Sequence, residues 1–142
     1  MSAYLDASVV LPAIKEEEAS DAVDRFLSDW PGAIVVSDFA AAEVASALSR
    51  FVRMGHLDDV EAAEFLAKFD AFRAQTSSPC DLHAGDARLA STYVRRFDLM
   101  LKAPDALHAA ICRRLDLTLV TLDRRLARAA GELGLSVLVP EG

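Results

Sequence analysis

Four carboxylates in this chain stand where folding alone gives each only a partial explanation: Asp6, Glu43, Asp105 and Asp123. Asp6 closes the short apolar run AYL, and Asp123 closes TLVTL. An aspartate after a strand commonly caps the next helix, so each has a local structural explanation when taken singly. Glu43 lies in DFAAAEVASALSRFVRM, where Ala40, Glu43, Val44, Ala47, Leu48 and Phe51 share one stripe at three- and four-residue spacing. That stripe is apolar apart from Glu43. A lone carboxylate on a core-facing stripe must be paired, protonated or metal-bound, unless it snorkels at an edge. Asp105 follows Pro104 in KAPDALHAAICRRL, in the first turn of an apolar helix whose dipole favours an anion there. His108 lies one turn on, on the same face; such a histidine is more often a satisfied core residue than a ligand, and no metal is assigned to it.

Jointly the four acids ask for a common cause. Carboxylates gathered at one place repel one another, so a cation is needed to hold them. Oxygen-only ligands select a hard ion, Mg²⁺ or Mn²⁺, which keeps several waters and meets phosphate oxygens. That chemistry is phosphoryl transfer or phosphodiester hydrolysis, in which the ion acidifies a bound water and stabilises charge on the transition state. No Gly-rich phosphate loop and no serine or cysteine nucleophile motif competes with it.

The elements that must position these residues alternate between strand and helix. A strand is expected over residues 2 to 6. Ser8 is expected to cap a short helix through Ala13, in which the early Pro12 is tolerable. Ser20 or Asp21 caps a helix to about Leu27, and AIVV at 33 to 36 is a β-branched strand. Ser37 caps a helix to about Met54 that Gly55 ends. Asp58 and Glu61 form a capping-box start for a helix ending near Ala74. DWPG at 29 to 32 and QTSSP at 75 to 79 read as loops, with a weak strand near Cys80. Residues 86 to 97 are helical, and Pro104 opens a helix to Leu115. TLVTL at 118 to 122 is a strand, 124 to 133 a helix closed by Gly134, and VLV at 137 to 139 the last strand. Strands separated by helices imply a mostly parallel sheet covered on both faces, in which ligands sit beyond the carboxyl ends of the strands. Asp6 and Asp123 belong at that edge.

The chain of 142 residues is long enough for one domain over 1–142 with a core of its own, and 53% hydrophobic residues argue against disorder. No apolar run approaches a membrane span, and the start MSAYLDASVVLP has no basic leader, so a cytoplasmic, membrane-free protein is expected. Cys80 and Cys112 lie far apart and read as two buried thiols rather than a zinc or disulfide framework. The net charge of −7 is the wrong sign for a phosphate binder at first sight. A carboxylate metal site and a basic protein partner would account for it; a merely solvated acidic surface would too.

At these residues the sequence resembles the PIN-domain nucleases, and among them the VapC-type toxins of VapBC toxin–antitoxin pairs. The resemblance is carried by YLDASVVLP with Asp6 and Ser8, SDFAAAEVASAL with Glu43, LKAPDALHAA with Asp105 and His108, and VTLDRRLARAA with Asp123. These pieces occur in the family's order and span nearly the whole chain; residues 55 to 100 match only in length and layout. The resemblance implies an α/β fold, a three-layer α/β/α sandwich with a central mostly parallel sheet. It implies Mg²⁺-dependent (or Mn²⁺-dependent) endoribonuclease activity, with Asp6, Glu43, Asp105 and Asp123 as the catalytic, metal-holding quartet. Asp6 and Asp105 would be the more direct ligands, with Ser8 and Thr121 in support. It further implies a homodimer and a cognate VapB-type antitoxin, whose basic C-terminal segment would reach the acids.

Two further residue sets carry expectations. Arg50, Arg53, Lys102, Arg124, Arg125 and Arg128 flank the acidic motifs and are candidates for gripping an RNA backbone; solvated helix faces are the alternative for each. Phe51, Phe65, Phe69 and Phe72 form stripes on two adjacent helices and could line a groove for an antitoxin helix, or build the local core. Three rival functions stand beside the toxin reading. One is a PIN nuclease without an antitoxin, working in RNA processing or on DNA. The second is a receiver-like signalling domain, which also collects acids and Mg²⁺ at a sheet edge but pairs adjacent acids after its first strand. Here Tyr4 and Leu5 precede Asp6. The third is an inactive module that attracts a basic peptide.

Overall fold

The computed structural model describes residues 1–141. In chain order these form β1 (Ala3–Leu5), α1 (Ala7–Ile14), α2 (Ser20–Asp29), β2 (Ile34–Ser37), α3 (Asp38–Arg53), α4 (Asp59–Gln75) and β3 (Ser77–Cys80). They continue with α5 (Ala84–Val94), a 3-10 turn (Phe97–Leu99), α6 (Ala103–Leu115), β4 (Thr118–Val120), α7 (Arg124–Glu132) and β5 (Val137–Leu138). The sheet has the order β3-β2-β1-β4-β5, and every pairing is parallel.

Side-chain alternation along the short strands divides the interior in two. Ala3, Leu5, Ile34, Val36 and Val120 face a core built with α1, α3 and α4, through residues such as Val9, Val10, Val44, Leu48 and Phe69. Tyr4, Val35 and Leu119 face the opposite core, built with α5, α6 and α7. The helices change faces where the chain reverses its direction of travel across the sheet. From β1 the chain moves outward to β2 and β3. It then returns past β1 to β4, and right-handed crossovers require the other face for that return. The expected α/β/α sandwich is therefore present, and its topological switch point lies between β1 and β4.

Local signals account for most boundaries. The Ser37 hydroxyl accepts from the Ala40 amide at 3.0 Å, and Asp58 and Glu61 close a reciprocal capping box. Gly55 and Gly134 take φ of 78° and 85° just after α3 and α7, where a side chain would be strained. Four expectations are corrected. Ser8 lies inside α1, and Asp6 occupies the N-cap position. The fourth strand ends at Val120, so Asp123 lies three residues beyond it. The segment QTSSP is not a loop throughout: residues from Ser77 pair with β2 as an edge strand, the one place in a sheet that tolerates Pro79. The helix expected over 86 to 97 starts at Ala84 and stops at Val94, and the 3-10 turn follows.

One stabilising device was not legible in the sequence. Asp86 is only 2% exposed, and its two oxygens accept from Arg114 Nε at 2.8 Å and Nη2 at 2.9 Å. It also accepts from the His83 amide at 2.9 Å, which ties down the start of α5. Burial alone would raise this carboxyl's pKa; the Arg114 and His83 hydrogen bonds and the guanidinium charge outweigh it and hold the pKa below the ordinary range. Because the folded-state value is depressed, the stabilisation is present above the ordinary aspartate pKa and lost as pH falls through the lowered one. Asp86→Ala leaves Arg114 without its buried partner and should cost about 3 kcal/mol in urea unfolding at neutral pH. A loss below about 1 kcal/mol would place the pair among ordinary surface ion pairs.

Candidate active site at the carboxyl edge of the sheet

Asp6 follows β1, and its side chain does not cap α1. Its carboxylate is instead 5% exposed and bound by two hydroxyls: Ser8 Oγ donates to Oδ1 and Thr121 Oγ1 donates to Oδ2, both at 2.6 Å. Each hydroxyl also accepts an amide from the turn between β4 and α7, Leu122 N to Ser8 at 2.9 Å and Asp123 N to Thr121 at 3.0 Å. The two strand ends that flank the switch point are thus stitched together through Asp6. Burial pushes the Asp6 carboxyl above the usual carboxylate range, opposed by His108 and the two hydroxyl bonds. A carboxylate offers about four lone-pair sites, so each oxygen keeps room for another partner.

Asp123 is the N-cap of α7; its Oδ1 accepts from the amides of Arg125 at 3.0 Å and Leu126 at 3.2 Å. The local capping explanation thus holds for Asp123 and not for Asp6. Asp105 is half-buried in the first turn of α6, behind Pro104. Its carboxyl is pushed up by burial first and then by the negative charge of Asp123 and of Glu43. Asp105 therefore feels the charge of one acid on α3 and one in the turn after β4. Glu43 is the stripe residue on α3, between buried Ala40 and Val44. It is paired: Glu43 Oε1 lies 2.5 Å from Nε2 of His108, which is 2% exposed. The other ring nitrogen, Nδ1, lies 2.5 Å from the Tyr4 hydroxyl, which is 2.7 Å from Ser37 Oγ.

The chemistry of these donors suits a hard divalent cation. They are carboxylates supported by hydroxyls, and the nearby imidazole has both nitrogens engaged. Among the described residues no three His, Cys, Asp or Glu side chains stand close enough to grip an ion as they are arranged. Mg²⁺ does not need such a cage, since it keeps most of its waters and takes one or two carboxylates.

The six candidate cations are scattered. Lys102 is exposed at the N-cap of α6, three residues before Asp105, and exposed Arg125 adjoins the Asp123 turn. Arg124 is drawn to Glu141 at 3.2 Å, and Arg128 is exposed on the body of α7. Arg50 lies over the Phe51 ring, and Arg53 donates to Ser49. Both sit two turns or more beyond Glu43 on α3. The phenylalanines contribute to the local core, and three of them keep a partly open face. Phe69 is 4% exposed, and Phe51, Phe65 and Phe72 are half-buried against the same cluster. Tyr4 and Ser37 had not been singled out as site residues. The only signals were a tyrosine inside an apolar strand and a serine already explained as a cap.

Solved structures share this fold. A VapBC2 complex from Rickettsia felis, bound to a promoter DNA fragment, aligns with a TM-score of 0.72 and 16% identity over 99% of this chain and 100% of that one. VapC20 of Mycobacterium tuberculosis, a toxin that cleaves the sarcin-ricin loop, aligns at 0.73 and 14% identity over 89% and 94%. FitAcB of Neisseria gonorrhoeae aligns at 0.73 and 17% identity over 97% of both chains. No curated protein sequence matches. Among the described residues no helix is long and apolar enough to cross a membrane. The PIN domain family model matches residues 3–132, a span that contains all four acids and sets the receiver-like alternative aside. This chain belongs to the PIN domain family.

Proposed function

We propose that this chain is a divalent-metal-dependent endoribonuclease and the toxin half of a VapBC-type toxin–antitoxin pair. The observation that supports the nuclease reading is a PIN-family chain whose Asp6, after β1, and Asp105, opening α6, have carboxyls pushed up by burial, Asp105 also by the charge of Asp123 and Glu43. Asp6 and Asp105 would hold Mg²⁺ or Mn²⁺, with Glu43 and Asp123 orienting its water shell. A divalent cation there would supply an acidified water and charge opposite the phosphate oxygens. Ser8 and Thr121 hold Asp6 in place, and Asp123 keeps Oδ1 on its helix cap while Oδ2 is free for water. The toxin reading is supported by fold neighbours that are VapBC and FitAB complexes, and by the net charge of −7, which suits a basic partner segment. Assembly as a homodimer belongs to the same proposal.

Purified protein should cleave single-stranded RNA with Mg²⁺, stop in excess EDTA, and resume when Mn²⁺ is added; DNA should stay intact. Undiminished cleavage in EDTA would remove the metal from the reading, and cleavage of DNA alone would remove the RNA. Of the six cations, Lys102 and Arg125 are best placed for the phosphate backbone. Changing either to Gln should reduce the slope of log affinity against log salt by about one, whereas Arg50→Gln should leave it unchanged. The reverse ranking would move the RNA path to the far end of α3.

A further inference from the structure

We propose that His108 and Tyr4 are positioning residues for Glu43, forming with Ser37 a buried chain that fixes the orientation of its carboxylate. This inference rests on the reading of Glu43 as part of the metal site. The chain runs between elements remote in sequence. Ser37 ends β2, Tyr4 is in the middle of β1, His108 is on α6 and Glu43 is on α3. Ser37, Tyr4 and His108 are all buried.

Counting protons gives the chain a direction. Ser37 Oγ accepts the Ala40 amide at 3.0 Å, so its own proton is free to go to the Tyr4 oxygen at 2.7 Å. The Tyr4 hydroxyl accepts that proton and gives its own to His108 Nδ1 at 2.5 Å. The imidazole then carries its proton on Nε2, aimed at Glu43 Oε1 at 2.5 Å. Every donor has one acceptor. The opposite direction would leave the Ser37 hydroxyl proton with no acceptor along the chain. The ring is also fixed sterically, with Phe39 at 5.1 Å and Tyr4 at 5.5 Å between ring centroids. Glu43 therefore has one oxygen committed to the protein, and Oε2 makes no hydrogen bond to the described residues. Partners that orient a directly ligating carboxylate typically matter by ~10- to 100-fold in metal affinity, and a carboxylate that meets the ion through water, as proposed for Glu43, gives a smaller, several-fold effect.

The test uses four proteins: the natural chain, Tyr4→Phe, His108→Leu and His108→Gln. In metal-free protein, nitrogen NMR of the histidine rings should find His108 protonated on Nε2 with Nδ1 accepting a hydrogen bond, and Tyr4→Phe should move the Nδ1 resonance to that of a nitrogen accepting none. Calorimetric titration with Mn²⁺ should show several-fold weaker binding for His108→Leu. His108→Gln, whose amide can donate from nearly the same place as Nε2, should recover most of it. Tyr4→Phe, which keeps the ring, should weaken Mn²⁺ binding several-fold and carries the test if His108→Leu does not fold. An unchanged Nδ1 resonance in Tyr4→Phe, or equal Mn²⁺ affinity in all four proteins, overturns the positioning role while leaving the metal site standing. A natural chain that binds no Mn²⁺ overturns the metal reading itself, and the role of the chain with it.

Discussion

Asp6→Ala should lower Mg²⁺-dependent RNA cleavage by at least ~10³-fold, since several kcal/mol of transition-state stabilisation pass through a bound cation and each 1.36 kcal/mol is tenfold. The expectation is large because Asp6 has two roles at one position. In the proposed site it is the carboxylate that the switch point would present to an ion. It is also the acceptor for Ser8 and Thr121, which join the β1 and β4 ends. Removing it deletes a ligand and releases two hydroxyls that would otherwise fix the site. Asp6→Asn separates the roles. The amide can still accept a hydroxyl proton through its one carbonyl oxygen, but it cannot balance an ion's charge. Asn should therefore lose as much activity as Ala while keeping more of the fold, as read by circular dichroism and hydrogen exchange at residues 119–124. Near-natural cleavage by Asp6→Asn would mean that Asp6 is only a structural acceptor.

Asp105→Asn should produce opposite effects on activity and metal-free stability. Activity should fall on the scale of Asp6→Ala, because Asp105 is the second residue proposed to ligate the ion directly. The metal-free protein should become more stable, with Tm rising by a few degrees at neutral pH. The sign follows from linkage. The Asp105 carboxyl is pushed up by burial and by Asp123 and Glu43, so the folded state holds its proton more tightly than the unfolded state. Its contribution is favourable at acid pH and is lost as pH rises through the raised folded value. At neutral pH the ionised group is therefore a net cost unless a cation sits with it. Metal-free natural protein should show the corresponding decline in Tm from acid toward neutral pH, and Asp105→Asn should reduce it. If Asp105→Asn instead lowers Tm at neutral pH, the dipole of α6 was the larger effect, and the site does not repel as described.

The legibility of this chain follows the range of the interactions involved. Features decided within one helical turn could be read directly: the Ser37 cap, the Asp58 and Glu61 box, Pro104 opening α6, and Gly55 and Gly134 closing α3 and α7. The alternation of strands and helices was enough for the layered sheet, and the rule for parallel sheets placed Asp6 and Asp123 at its carboxyl edge. The β3 strand was harder to read because SSPC lacks the β-branched pattern; it exists by pairing with β2 rather than by propensity. The Phe65 and Phe69 stripe was visible, but not which side of it faces the sheet. The partner of Glu43 was out of reach for the same reason. His108 is 65 residues from Glu43 and 104 from Tyr4, and no local pattern records a contact of that span. The stripe asked that Glu43 be paired, protonated or metal-bound unless it reached solvent at an edge, and the structure supplies an imidazole as its partner.

The central claim is that these acids hold a divalent cation at the β1–β4 switch point. Its most direct test is a crystal of the protein grown with Mn²⁺, measured for anomalous scattering. The account predicts an anomalous peak within direct ligand distance, ~2.2 Å, of carboxylate oxygens of Asp6 and Asp105, with Glu43 and Asp123 reached through water. Well-ordered Asp6 and Asp105 side chains without a peak between them, or a peak bound at another acidic surface, would contradict it.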